Sequence, residues 1–214
     1  VTTAVVGNCG FGVAPTRTDH REMIMRTLEK VEGMDIGALR SGLGEDWPFE
    51  SFPEYLDAID NIEPAINVGV LMGHTPLRTY VMGEEATERE ATDDEITQMC
   101  GLLADGIKAG ALGFATSKAS THVGFEGRPV PSRVASLHEI NSLCNVLGNL
   151  DKGIVQATVG RELFLDEFEQ IATRTRRPIT WTALLAGLSL GKGGHEDQLA
   201  ASQVLAANGL KISP

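Results

Sequence analysis

Short apolar runs alternate along this chain with segments in which apolar residues recur every three or four positions. The runs at 2–6, 66–72, 112–116, 154–159, 179–185 and 210–212 are nearly continuous in Val, Ile, Leu, Thr and Ala. Continuous runs of this kind predict parallel strands covered on both faces, whereas a half-exposed strand would alternate. Between them, Arg21–Glu32 carries Ile24, Leu28 and Val31 on one stripe, and 53–61 groups Tyr55, Leu56 and Ile59. Each stripe predicts a helix with one core-facing side.

The segment Asp93–Ala109 is the best-delimited helix. Thr92 and Glu95 stand in capping-box spacing, Ile96, Met99, Leu103 and Ile107 form the buried stripe, and Gly110 terminates it. Ser136 and Glu139 repeat the capping spacing ahead of Ile140, Leu143 and Leu147, and helices over 162–175 and 196–207 continue the alternation. Strands alternating with helices predict an α/β fold, either an open doubly wound sheet or a section of a (β/α)8 barrel. No glycine fingerprint for phosphates follows any strand, and Gly191-Lys192-Gly193-Gly194 lacks the required spacing and reads as a loop.

At 214 residues and 42% apolar content, the chain is long enough and apolar enough to bury a substantial core. Eighteen Lys and Arg against 29 Asp and Glu give a net charge of −11, and no basic stripe with interleaved aromatics is present, which argues against a nucleic-acid partner. No apolar run is long enough for a helix to span a bilayer, so no membrane partner is expected. Cys9, Cys100 and Cys144 are odd in number and widely spaced, which predicts reduced thiols and a cytoplasmic setting. The chain opens inside a strand-like segment without an initiator Met, so an upstream portion is expected.

In a barrel, chemistry gathers where strands hand over to the loops that follow them. Those positions here are Asn8-Cys9, Gly73-His74-Thr75, Thr116-Ser117-Lys118 and the residues after Val159 and Leu185. Cys9 follows the β-branched run and is bracketed by Gly7 and Gly10. Its thiolate suits a borderline metal such as zinc, although a buried structural cysteine fits the same pattern. His74 reads as a ligand, proton carrier or substrate contact, or else as a solvated loop histidine. Arg78 reads as a bidentate carboxylate binder or a surface ion-pair partner. His122 and His195 are weaker candidates, expected to be exposed, and His20 and His138 read as surface residues. No His-x-His pattern occurs.

One set of motifs resembles a known family. Val1-Thr2-Thr3-Ala4-Val5-Val6-Gly7-Asn8-Cys9-Gly10-Phe11-Gly12-Val13-Ala14-Pro15 is similar to a segment of the N-acyl-D-amino-acid deacylases (D-aminoacylases) of the amidohydrolase superfamily. Phe52-Pro53-Glu54-Tyr55-Leu56-Asp57-Ala58, Asn67-Val68 through Gly73-His74-Thr75-Pro76-Leu77-Arg78, Tyr80-Val81-Met82-Gly83 and Ala109-Gly110-Ala111-Leu112-Gly113-Phe114-Ala115-Thr116-Ser117 follow in the same order.

The resemblance implies a metal-dependent (β/α)8 TIM-barrel hydrolase cleaving the amide of a small-molecule N-acyl amino acid, with zinc as cofactor. Cys9 matches the family's metal-binding cysteine, and His74, Arg78 and Ser117 are the expected substrate-binding residues. Residues 1–214 then form one portion of a single barrel domain of about six parallel strands, lacking the first strand and the last ones. The family's His-x-His precedes the matching segment and its acidic proton shuttle follows it. Where the family has histidine-bearing strands, this chain has Ile154-Val155-Gln156-Ala157-Thr158-Val159 and Pro178-Ile179-Thr180-Trp181-Thr182-Ala183-Leu184-Leu185, without a histidine. An amide at Gln156 is a poor substitute for imidazole on zinc. Two readings therefore stand: an amidohydrolase segment, and a non-catalytic α/β scaffold or small-molecule-binding module that lost its ligands. A barrel short of strands has open edges, so the expectation is either flanking segments that cover them, pairing with another chain such as a homo-oligomer, or a rearranged sheet.

Overall fold

A computed structural model describes residues 1–44, 46–187 and 193–214. Six parallel strands lie side by side in chain order: β1 (Thr3–Val6), β2 (Asn67–Gly73), β3 (Gly113–Ser117), β4 (Ile154–Thr158), β5 (Ile179–Thr182) and β6 (Ile212–Ser213). Sequential neighbours, all parallel, curl into a half-barrel with β1 and β6 at its edges. The expected α/β partial barrel is what the chain forms.

The connections carry α1 (Arg21–Glu32), α2 (Ile36–Leu43) and α3 (Phe52–Asn61) between β1 and β2, then α4 (His74–Met82) and α5 (Asp93–Ala109) between β2 and β3. Next come α6 (Pro131–Val134) and α7 (Leu137–Leu150), then α8 (Leu165–Thr175) and α9 (His195–Ala207). The core is the layer between the sheet and these helices. Met72, Phe114, Val155, Ala157, Ile179 and Trp181 of the strands meet Leu103, Ile107, Leu143, Leu147, Phe168 and Ile171 of the helices. Alternation along a strand then turns Gln156 and Thr158 of β4 to the opposite, inner face.

Local signals explain most boundaries. The capping box at Thr92 and Glu95 is fully formed, and an equivalent one at Ser51 and Glu54 opens α3. Helix α8 starts at Leu165 rather than 162, because Glu162 takes a positive φ of 65° and residues Gly160 and Leu163 pair across a bridge. The expected strand over 179–185 stops at Thr182. The greatest departure is α4, which begins directly at the end of β2, so His74 and Arg78 are helical rather than loop residues. Pro76 is compatible because the first turn of a helix needs no N–H from it. Gly191 and Lys192 of the glycine-rich stretch lie outside the described residues, while Gly194 caps α9.

Candidate functional site

The chain leaving β1 turns back across the carboxyl ends of the neighbouring strands. Two glycines permit the approach. Gly7 has φ 94°, and a Cβ there would lie 2.3 Å from the Leu71 carbonyl oxygen; at Gly10, with φ 76°, it would lie 2.8 Å from that of Ala115. Between them, Cys9 takes φ 60° and ψ 11° and stays half-buried at the mouth of the half-barrel.

A side chain from the far side of the sheet fixes this turn. The Cys9 backbone N–H donates to Gln156 Oε1 at 2.6 Å, and Gln156 Nε2 lies 3.5 Å from Thr182 Oγ1, which is 3.2 Å from Thr158 Oγ1. The groups linked in this way behind the Cys9 N–H are an amide and two hydroxyls, all uncharged. Zinc binding by protein requires three or four thiolate, imidazole or carboxylate donors. Among the described residues no three His, Cys, Asp or Glu side chains converge in that way. Cys9 stands where a ligand would be needed, but the donor set around it does not fit a zinc ion.

His74, Arg78 and Ser117, the expected substrate contacts, have no exposed surface. His74 Nδ1 is 2.8 Å from Thr116 Oγ1, and its Nε2 is 2.7 Å from Glu139 Oε1. Arg78 pairs with the other oxygen of Glu139 and donates to the carbonyls of Ala86 at 3.3 Å and Arg89 at 2.8 Å. Burial lowers the His74 pKa more than the Glu139 carboxylate raises it, so the imidazole is neutral at pH 7. A carboxylate only accepts, hence Nε2 carries the proton and Nδ1 accepts from the Thr116 hydroxyl. Burial pushes the Glu139 carboxyl up, but the hydrogen bonds and charges of His74 and Arg78 outweigh it, and its pKa is lowered. This charged cluster sits behind the mouth, within the helix layer, so neither a solvated His74 nor a surface Arg78 describes it.

Ser117 closes β3 with its hydroxyl 2.7 Å from His122 Nδ1. His122 is half-buried, not exposed as expected, and Phe11 packs edge-on against it with ring centres 5.1 Å apart. Burial and the nearby Arg133 charge lower the His122 pKa, so it accepts the serine proton in a neutral hydrogen bond. Lys118 turns away to donate to the carbonyls of Arg133 and Ala135 at 2.9 and 2.6 Å.

Next to the mouth, the segments that follow β1, β2 and β3 enclose a cavity of about 350 Å³ lined by Phe11, Met23, Thr27, Thr75, Phe125 and Val130, among others. Sequence reasoning missed Glu139, because Ser136-x-x-Glu139 reads as a capping box. Only half of it forms: Ser136 Oγ accepts from the Glu139 N–H at 3.2 Å, while the carboxylate reaches His74 and Arg78 instead.

The amidohydrolase family matches residues 1–210. The D-aminoacylase of Alcaligenes xylosoxydans xylosoxydans is 34% identical over 116 residues, 54% of this chain and 21% of that protein. A solved D-aminoacylase described with a binuclear metal centre superposes with a TM-score of 0.70 at 26% identity, covering 99% of this chain and 40% of its own. The N-acyl-D-glutamate deacylase of Bordetella bronchiseptica, solved with zinc and a phosphonate inhibitor, gives 0.67 at 26% identity over 99% of this chain and 40% of that one. The chain therefore spans about a fifth of the D-aminoacylase sequence and two-fifths of the solved chains.

Proposed function

Since the chain belongs to the amidohydrolase family, we propose that it contributes to hydrolysis of an amide C–N bond in a small N-acyl amino acid, as the names of its deacylase relatives denote. The observation that carries the reading is the Cys9 turn folded over the carboxyl ends of β2, β3 and β4, where barrel enzymes work. The cavity beside it, lined by Phe11, Met23 and Val130 together with charged side chains such as Arg26 and Arg128, suits a substrate with both a hydrocarbon and a charged part. His74 and Arg78 support the mouth through Glu139 and Thr116, while Ser117 orders His122 beneath Phe11.

Cys9 supplies one donor for a metal, and the described residues do not complete the set. Zinc, held by one relative, is the cation to test, and Cys9 is the proposed contact for it. Three unpaired cysteines are in keeping with the reducing cytoplasm. Among the described residues no helix is long and apolar enough to cross a membrane. Pairing of copies through the edges at β1 and β6 belongs to the same proposal, and gel filtration measures it.

A second reading, a small-molecule-binding scaffold without catalysis, is favoured by the incomplete donor set alone. Amine release from N-acetyl-D-amino acids, followed with bound zinc by elemental analysis, separates the two. The hydrolase reading expects release, together with near-stoichiometric zinc that Cys9→Ser abolishes. Absence of both, with an unchanged melting temperature in the variant, selects the scaffold.

A further inference from the structure

We propose that Gln156 is the positioning residue for Cys9: its side-chain amide holds the thiol at the mouth of the half-barrel without help from a cation. Cys9 sits at φ 60°, ψ 11°, a left-handed conformation that cysteine seldom adopts unless the surroundings impose it. The flanking glycines let the backbone approach Leu71 and Ala115, but they leave the Cys9 N–H itself to be satisfied. Its partner comes from 147 residues further along the chain, at 2.6 Å, from a side chain only 2% exposed.

The amide is suited to this task. Its oxygen accepts from the Cys9 N–H while its NH2 group faces the Thr182 hydroxyl, at the long end of hydrogen-bonding distance, and Thr182 meets Thr158 in turn. A single orientation of the amide satisfies both ends, so the turn is tied to β4 and β5 together. Every group in the tie is neutral, and none needs to lose a proton to act. Metal coordination would instead link Cys9 to the sheet through charged or imidazole donors, and no such set is formed among the described residues. The inference concerns the thiol's position and does not depend on which reaction the protein performs.

The rate at which Cys9 reacts with Ellman's reagent under native conditions tests this, with all variants made in a Cys100→Ser background. Cys144 is silent there because it has no exposed surface and burial pushes its pKa up to about 12. Gln156→Met keeps the volume and removes the acceptor, and should speed the reaction roughly fivefold by freeing the turn. With any zinc removed by a chelator, the acceleration of Gln156→Met over the parent should persist. If Gln156→Met fails to show a cooperative melt, Thr182→Val removes the hydroxyl that orients the amide and should give a smaller acceleration. The proposal is overturned by a folded Gln156→Met variant reacting at the parent rate, by Thr182→Val leaving the rate unchanged where that variant stands in, or by loss of the acceleration once a chelator has removed any zinc.

Discussion

His74 Nε2 lies 2.7 Å from Glu139 Oε1, and neither side chain has any exposed surface. With Arg78 on the other carboxylate oxygen and Thr116 on the other imidazole nitrogen, this contact joins α4, α7 and β3 directly behind the mouth. Glu139 is thus a hub whose two oxygens serve different donors, one neutral and one charged.

Removing that hub should be costly. Glu139→Gln leaves the Arg78 guanidinium buried without its counter-charge, and the expected loss is about 3–5 kcal/mol in chemical denaturation. Pairing it with Arg78→Met removes the stranded charge as well, so the double variant should be more stable than Glu139→Gln alone. Additive losses in the double variant would show that the two residues do not act as a pair.

The same cluster makes the fold sensitive to acid. Folded His74 binds a proton less readily than an ordinary histidine of pKa 6.5, so the unfolded chain takes up the extra proton first and stability falls as pH drops below that value. Glu139, lowered from 4.5, adds a second loss once the pH falls through that range towards its folded value. Melting temperature should be level above pH 7 and decline in these two stages. His74→Gln should flatten the part between pH 6.5 and 4.5, leaving the contribution of His122, which is lowered in the same direction.

Two glycines should respond oppositely to alanine. At Gly10 the new Cβ would meet the Ala115 carbonyl at 2.8 Å and Thr116 Cα at 2.9 Å, and φ is positive, so a loss of about 1–3 kcal/mol is expected. Gly101 lies exposed inside α5 with nothing within 4 Å of its added Cβ, and alanine there should gain about 0.5–1 kcal/mol. Thermal melts of the two variants, run side by side, check both signs.

The cysteines should divide by burial. Cys144 has no exposed surface and its pKa is pushed up to about 12, so alkylation without denaturant should leave it untouched while Cys9 reacts. Peptide mapping of the alkylated protein reads this directly. Labelling of Cys144 at the rate of Cys9 would mean that the helix layer over β3 opens freely.

Much of the fold was legible because its causes are local. The apolar runs marked all six strands to within a few residues. Stripes such as Ile96, Met99, Leu103 and Ile107 marked the helix faces, and Thr92 with Glu95 marked a start that forms as written. The mouth was located by the same means, since Cys9 and Ser117 do stand where strands end. His74 was misplaced into a loop because Pro76 signals a turn as strongly as it permits the first turn of a helix. Glu139 was hidden by Ser136, since the capping spacing accounts for a glutamate at that position whether or not its carboxylate turns inward.

By itself, the sequence determined where the six strands and the strongly periodic helices lie and which of their faces is apolar, but not α2, α4 or α6, because periodicity and capping depend on neighbours a few positions apart. Only the tertiary structure decided that Gln156 meets the backbone of Cys9 and that Glu139 is shared by His74 and Arg78. Such contacts require atoms within about 3 Å of one another, a distance set by how the curled sheet and its helices pack and carried by no local pattern in the chain.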